Sequence, residues 1–111
     1  MDFHHIGLRS WKERSGENYV AKSKVWVTDP REHPNRIEWL RYEPDSPTPE
    51  VVKDTPHVAF SVDQLEPYLR DEEVVIEPFK VGDFAQVAFI AKHGLIYEFM
   101  EFKAGHVWFG E

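Results

Sequence analysis

Alternation of apolar and polar positions dominates the chain and predicts β-strands in both halves. The predicted strands cover residues 3–9, one or two strands within 19–28, then 36–42, 57–62, 74–78, 86–91 and 95–102. Residues 10–18 are polar, so we expect a loop or one short helical turn there, and residues 29–35 hold Asp-Pro and His-Pro steps that predict a turn. The chain is therefore rich in strand patterns and poor in helical ones.

One clear helix signal lies in the second half. Asp63 is a candidate helix N-cap, and Glu66, three residues later, would complete a capping box. Pro67 is tolerated in a first turn, and we expect the helix to run to about Glu72. The second half therefore reads strand, helix, strand, strand, strand, and the first half repeats that order with the helix shortened or missing.

Strand parity separates the two faces of the first strand in each half. Side chains two residues apart share a face, so His57 lies with Ala59, opposite an apolar face that needs burial. On the first strand Ile6 is predicted to face the core, as is Leu8, and His5 lies on the other face. Each half thus places a histidine at the start of an apolar strand.

A proline-rich stretch separates the two halves. Four of the eight prolines lie between positions 44 and 56, with small polar residues among them. We interpret residues 1–111 as one domain made of module 1 (1–44) and module 2 (56–104), joined by a linker (45–55). The alternative for this stretch is an ordinary surface loop.

Composition and charge narrow the class of protein. The net charge of −7 argues against electrostatic binding of nucleic acid or an anionic membrane. The absence of cysteine excludes disulfides and thiolate ligands. No apolar run is long enough to span a membrane and no signal segment is recognisable, so we expect a soluble, cytoplasmic protein with a small-molecule substrate.

The candidate chemistry lies in a repeated order of histidine and glutamate. His5 and Glu38 in the first half are followed by His57 and Glu98 in the second, and all four lie in apolar strands. Buried carboxylates there would be costly unless they are paired, and a shared divalent cation would pair them. The alternative is four unrelated residues, most of them structural or solvated.

Neighbouring residues compete for these roles. His4 competes with His5 but shares the face of Ile6, so we prefer His5. Parity places Glu43 opposite Glu38, and Glu101 opposite Glu98. The remaining histidines lie in turns or the tail and are interpreted as surface residues: His33, His93 and His106.

The chain resembles the glyoxalase, bleomycin-resistance and dioxygenase group, also called vicinal oxygen chelate proteins. The matching segments are His5-Ile6-Gly7-Leu8, Ile37-Glu38-Trp39-Leu40, His57-Val58-Ala59-Phe60-Ser61-Val62-Asp63 and Tyr97-Glu98-Phe99-Met100-Glu101. The resemblance implies an α+β fold in which two βαβββ-type modules form an eight-stranded cup around a metal site. It also implies that His5, Glu38, His57 and Glu98 are the metal ligands.

The activity implied is that of a metal-dependent isomerase, epimerase or lyase of glyoxalase type. Nitrogen and oxygen ligands suit one divalent ion, Ni²⁺, Co²⁺, Mn²⁺, Fe²⁺ or Zn²⁺, which would chelate two neighbouring substrate oxygens. Glu98 and Glu38 would then be catalytic, moving the proton next to the substrate carbonyl. The alternatives are a metal-free binding module of the antibiotic-resistance kind, a thiol transferase, a dioxygenase or a purely structural metal site.

Two further expectations concern the surroundings of the site. Arg9 and Arg36 share faces with ligand candidates and are predicted to bind an anionic group of the substrate, the alternative being solvated surface arginines. Since the first half lacks a convincing helix, one side of the cup should be open or covered by a partner chain, and we expect a homodimer. Trp11, Trp26 and Trp39 would form that covered surface, or they are ordinary core aromatics.

Overall fold

The computed structural model describes residues 1–105, which form one eight-stranded mixed sheet curled into a half-barrel. The strands are β1 (Asp2–Arg9), β2 (Asn18–Val20), β3 (Val25–Val27), β4 (Ile37–Tyr42), β5 (His57–Ser61), β6 (Glu73–Val81), β7 (Ala85–Lys92) and β8 (Leu95–Phe102). The helices are short: a 3-10 turn Pro30–Glu32, α1 (Glu50–Asp54) and α2 (Glu66–Leu69). The fold is thus α+β and mostly sheet.

The strand order is the same in both halves when read from the centre of the sheet outward. The sheet runs β2-β3-β4-β1-β5-β8-β7-β6, with β1 and β5 antiparallel at its centre. On one side β1 pairs with β4 in parallel, and on the other β5 pairs with β8 in parallel. The two outer pairings of each half are antiparallel.

The predicted strands are confirmed, with small shifts of their ends, and residues 19–28 hold two strands rather than one. The turn between β7 and β8 is also confirmed. Its central residues, His93 and Gly94, have φ angles of 56° and 75°, the left-handed backbone that a tight two-residue hairpin requires.

The prediction for the second-half helix is wrong in its cap and length. The helix covers only Glu66–Leu69, and no side chain of the preceding residue caps it. The carboxylate of Glu101, on β8, instead accepts a hydrogen bond of 3.0 Å from the backbone N–H of Leu65. Glu66 pairs with Arg70 rather than closing a capping box. A tertiary contact therefore replaces the local cap.

The stretch between the halves packs onto the sheet instead of standing free. It contains α1, whose Val52 is only 3 % exposed and joins the core inside the curl of the sheet. Lys53 is buried as well, and its Nζ donates to the carbonyl of Ser46 at 3.1 Å. The Ser46 hydroxyl in turn donates to the carbonyl of Ser23 at 2.5 Å. Residues 45–55 therefore connect the halves and also cover the concave face.

The outer faces of the two halves are covered differently. Below β5, β7 and β8, helix α2 completes a second core. Its buried members are Val62, Leu65, Ala88, Ile90 and Phe99. In the first half the Arg14 guanidinium, from the loop after β1, lies 4.0 Å from the centre of the Trp39 ring. The prediction that Ile6 faces the core is wrong, because its side chain is 38 % exposed.

Within residues 1–105, no helix is both long and apolar enough to cross a membrane.

Candidate metal centre

The four predicted ligands lie on the four central strands of the sheet and meet on its concave face. Glu38 is on β4, His5 on β1, His57 on β5 and Glu98 on β8. All four are buried, and each offers one ligand atom within 4.8 Å of the others. A single chain therefore brings the whole set together.

The Nε2 atoms of the two histidines and the carboxylate oxygens of the two glutamates lie close together around one point. His5 Nε2 lies 3.3 Å from an oxygen of Glu38 and 3.3 Å from an oxygen of Glu98. His57 Nε2 lies 3.6 Å and 3.1 Å from the same two oxygens. The two Nε2 atoms are 3.2 Å apart. Each imidazole Nε2 carries at most one proton, so protons alone cannot satisfy all these contacts.

Small residues opposite the ligands make room for the cluster. Gly7 pairs with Glu38 on one neighbouring strand and with His57 on the other. Ala59 occupies the same place in the other half, between His5 and Glu98. The sequence signal is a small residue two positions after each histidine, which strand parity alone did not single out.

The contact at Gly7 is the tighter of the two. A Cβ atom added to Gly7 would lie 1.9 Å from Cε1 of the His57 ring, far inside van der Waals contact. The missing side chain therefore admits the imidazole of the other half. His57 also packs edge-on against Phe89, with ring centres 5.6 Å apart.

His4 is part of the site, although parity placed it on the opposite face. The register of β1 against β5 shifts between Phe3 and His5, and this bulge leaves His4 and His5 both buried. Their Nδ1 atoms are 2.7 Å apart. If His5 binds an ion through Nε2, its Nδ1 carries the proton and donates to His4, which fixes the tautomer.

Electrostatics favours a cation at this point. Burial opposes a charge on His5, but Glu38 and Glu98 outweigh it and raise the pKa of His5 to about 10. Burial likewise opposes ionisation of Glu98, yet hydrogen bonds from His5 and His57 lower its pKa to about 2. Burial opposes a charge on His4 too, and it lowers the pKa of that imidazole to about 4. A neutral His4 is the acceptor that the tautomer above requires.

The donor set and its spacing fit one divalent transition-metal ion. Bonds of about 2.0–2.2 Å to nitrogen and oxygen put neighbouring ligands of one ion roughly 3 to 4 Å apart. The measured separations of 3.1–3.6 Å fall in that range. Two carboxylates also balance the charge of a divalent ion, which a buried site needs.

An apolar cavity of about 60 Å³ adjoins the cluster. Glu38, His57 and Glu98 form its polar end, and both halves supply the apolar walls. Thr48 and Val52, from the stretch between the halves, line it as well. Three of the four ligands therefore face a space that a small molecule can enter.

The two arginines predicted to bind substrate lie elsewhere. Arg9 forms an ion pair of 2.6 Å with Asp54 of α1 and lies over the Trp11 ring at 3.8 Å. Arg36 donates from Nε to the carbonyl of His4 at 2.5 Å. Neither lines the cavity, so their predicted role stays a prediction without a contact to support it.

Apart from His4, the competing acidic residues and the histidines of the turns lie away from the cluster. Glu43 accepts a hydrogen bond from Tyr19, and Glu101 holds the start of α2. His93 is exposed in its turn, and His33 accepts a hydrogen bond from the backbone N–H of Asn35. His106 lies outside the described residues.

Comparisons with known proteins inform the fold only. No family model matches the chain, and no curated protein matches it. Among solved structures, the chain is similar to a hypothetical protein, BH1468, from Bacillus halodurans C-125. The two are 19 % identical with a TM-score of 0.67, over 96 % of this chain and 97 % of that one. The eight-stranded architecture is therefore shared with a solved protein.

Proposed function

We propose that the protein is a metal-dependent isomerase, epimerase or lyase of the glyoxalase type, built from two βαβββ-type modules that form a cup around the site. One observation carries this proposal: two histidines and two glutamates, buried and within 4.8 Å of one another, open onto an apolar cavity. The ligands would be His5, Glu38, His57 and Glu98. The matching strand order of the two halves supports the module arrangement.

The chemistry follows from the groups at the polar end of the cavity. A bound divalent ion supplies Lewis acidity toward two neighbouring oxygens of a substrate. Glu98 would take the proton from the carbon next to the substrate carbonyl, and Glu38, across the cluster, would pass a proton taken from solvent to the substrate; Glu98 would then release its proton to solvent, so that both carboxylates are ionised again. The low pKa of Glu98 depends on protons held by the two histidines, and these protons leave when an ion binds.

The cavity argues for a catalytic rather than a structural site. A structural metal is enclosed by its protein ligands, whereas a catalytic one keeps positions open to a substrate. Here Glu38, His57 and Glu98 line the cavity and only His5 is fully shielded behind them. The apolar walls would exclude water from the reacting carbon.

The first test is metal binding. Protein stripped with a chelator should take up one equivalent of Co²⁺, Ni²⁺, Mn²⁺, Fe²⁺ or Zn²⁺, measured by elemental analysis after dialysis. His57→Ala should abolish the uptake, and His93→Ala, in an exposed turn, should not. Equal uptake by both variants would remove the basis of the proposal.

The second test separates catalysis from binding. We expect the metal-loaded protein to exchange the proton next to the carbonyl of a hydroxymethyl ketone with solvent deuterium, followed by NMR. Glu98→Gln should retain the ion with weaker affinity and lose this exchange. Glu101→Gln is the matched control, since Glu101 is on the same strand but faces α2. Exchange that survives in Glu98→Gln would refute the role given to Glu98.

A further inference from the structure

The residues that line the cavity indicate what kind of ligand it can hold, which the four candidate metal ligands alone do not. Apart from Glu38, His57 and Glu98, most lining side chains are apolar and come from β3, β4, β6, β7, β8 and α1. They include Val27, Leu40, Val52, Phe79, Val87 and Phe89. No lysine or arginine is among the described residues that line it.

Two basic side chains lie beside the lining residue Tyr42 without lining the cavity themselves: Arg9 is 5.7 Å and Lys53 5.8 Å from the centre of the Tyr42 ring. Arg9 pairs with Asp54 through one terminal guanidinium nitrogen, while its buried Nε has no hydrogen-bond partner among the described residues; Arg36 donates to the backbone of His4. Lys53 is buried, and its Nζ donates to the carbonyl of Ser46 and lies 3.4 Å from an oxygen of Glu50. A substrate carboxylate or phosphate would therefore find no cation in the cavity walls.

Charge balance at the polar end leads to the same result. Two carboxylates already neutralise a divalent ion, so an anionic substrate would add a net negative charge to an apolar space. Burying such a charge without a partner is strongly unfavourable. An uncharged molecule with two neighbouring oxygens meets no such penalty.

Tyr42 supplies a neutral hydrogen-bond donor at this cavity. It lies four residues after Glu38 on the same face of β4 and lines the cavity with it. Burial, together with the charges of Glu38 and Glu98, raises the pKa of Tyr42, so its hydroxyl keeps its proton. None of the hydrogen bonds among the described residues involves that hydroxyl.

We propose that this cavity takes a small uncharged compound with two neighbouring oxygens and an apolar tail, such as an alkyl hydroxymethyl ketone, and that Tyr42 donates a hydrogen bond to it. The cavity is of modest size, so it admits a small compound rather than a large conjugate. The inference rests on the proposed function, because the two oxygens are assigned to the metal end. Phosphorylated, carboxylated and large conjugated substrates are excluded by it.

The test compares two ligands that share a head group and differ in the charge of the tail. Hydroxymethyl isopentyl ketone has an isopropyl end, and in δ-hydroxylevulinate a carboxylate replaces it. Each is titrated into Co²⁺-loaded protein, with the visible absorption of the cobalt as the binding signal. We expect the ketone to bind at least tenfold more tightly than the anion. Equal binding, or tighter binding of the anion, overturns the inference.

Two variants sharpen the result. Tyr42→Phe should weaken ketone binding roughly three- to tenfold, the effect of one lost hydrogen bond, and leave the cobalt spectrum of the free protein unchanged. Ile76→Lys, at the rim of the same cavity, should shift the preference toward the anion. Unchanged ketone affinity in Tyr42→Phe would overturn the role of Tyr42.

The outcomes also separate this inference from the proposed function. If Co²⁺ does not bind at the four ligands, both fail. If Co²⁺ binds and a hydroxymethyl ketone exchanges its proton, but the anion is preferred, only the inference on charge fails.

Discussion

The two halves of the molecule hold their ligands alike and cover their outer faces differently. Each half places a histidine on a central strand and a glutamate on the parallel neighbour of that strand. The second half buries its outer face under α2, whereas the first covers Trp39 with the guanidinium of Arg14 and leaves Ile6 partly exposed. The site therefore depends on strand register, and the cover of a half can change without moving its ligands.

The largest expected effect comes from disturbing the contact between the halves at the site. Gly7→Ala would put a methyl group into the His57 ring, so we expect at least a hundredfold loss of metal affinity, measured by competition with a chelator. Gly16→Ala adds the same methyl group where no atom lies within 4 Å. It should cost some stability through its left-handed backbone but keep metal affinity. Equal affinity in both variants would contradict the packing at Gly7.

The second prediction compares the two covers directly. Leu65→Ala, beside α2, removes a buried side chain and should lower the free energy of unfolding by about 2–5 kcal/mol. Arg14→Ala removes a cation–π contact and should lower it by about 1 kcal/mol. Urea unfolding of the chelator-treated protein measures both. If Arg14→Ala lowers the free energy of unfolding as much as Leu65→Ala, then Arg14 stabilises the first half as strongly as α2 stabilises the second, contrary to the difference described here.

A third prediction concerns the asymmetry around the two histidines. His5 has His4 bonded to its second ring nitrogen, while proline precedes His57 in the other half. His4→Phe keeps a ring at this position but removes the acceptor. Metal affinity should fall roughly 10- to 100-fold. Unchanged affinity would show that the bulge in β1 does not serve the metal site, and urea unfolding of the same variant would check its fold.

The last prediction changes no side chain: metal affinity should vary by about tenfold per pH unit for each proton that the ion displaces. With no ion bound, Glu38 and Glu98 raise the pKa values of His5 and His57, that of His5 to about 10, so each histidine holds its proton to a higher pH than a free imidazole does. Metal affinity should therefore rise as the pH increases from neutral toward about 10. Calorimetry in buffers of different ionisation enthalpy counts the protons released. Release of two protons would mean that each half contributes a histidine to the ion. Release of one proton would mean that only one half does.

The same shifts give the metal-free protein an opposite pH dependence. A raised histidine pKa adds stability that is fully present below the unfolded value of 6.5 and is lost as the pH rises toward about 10. Unfolding measured with and without metal should therefore diverge at alkaline pH.

Strand pattern and repetition predicted the strands and the four candidate ligands, because an alternating strand with one buried face leaves little freedom of register. The helix cap could not be predicted in the same way. The N–H of Leu65 is bound by Glu101, which is distant in sequence, and no local pattern reports such a contact.

Parity failed at His4 for a related reason. A bulge adds one residue to a strand and turns a neighbouring side chain to the other face. The residues around His4 contain no pattern that predicts the bulge. The two arginines predicted to bind substrate do not line the cavity, since Asp54 pairs with Arg9 and the backbone of His4 accepts from Arg36, and their role stays a prediction. Polar partners of this kind are set by the fold, so a shared strand face is a weak guide to them.

Residues 45–55 shape part of the cavity but carry none of the four candidate metal ligands, which lie on strands. This stretch joins the halves, yet its Thr48 and Val52 also form part of the cavity wall. Substitutions there alter which molecules fit while every metal-binding strand keeps its sequence. Substitutions in this short segment can therefore reshape part of the cavity without moving a strand that carries a candidate ligand.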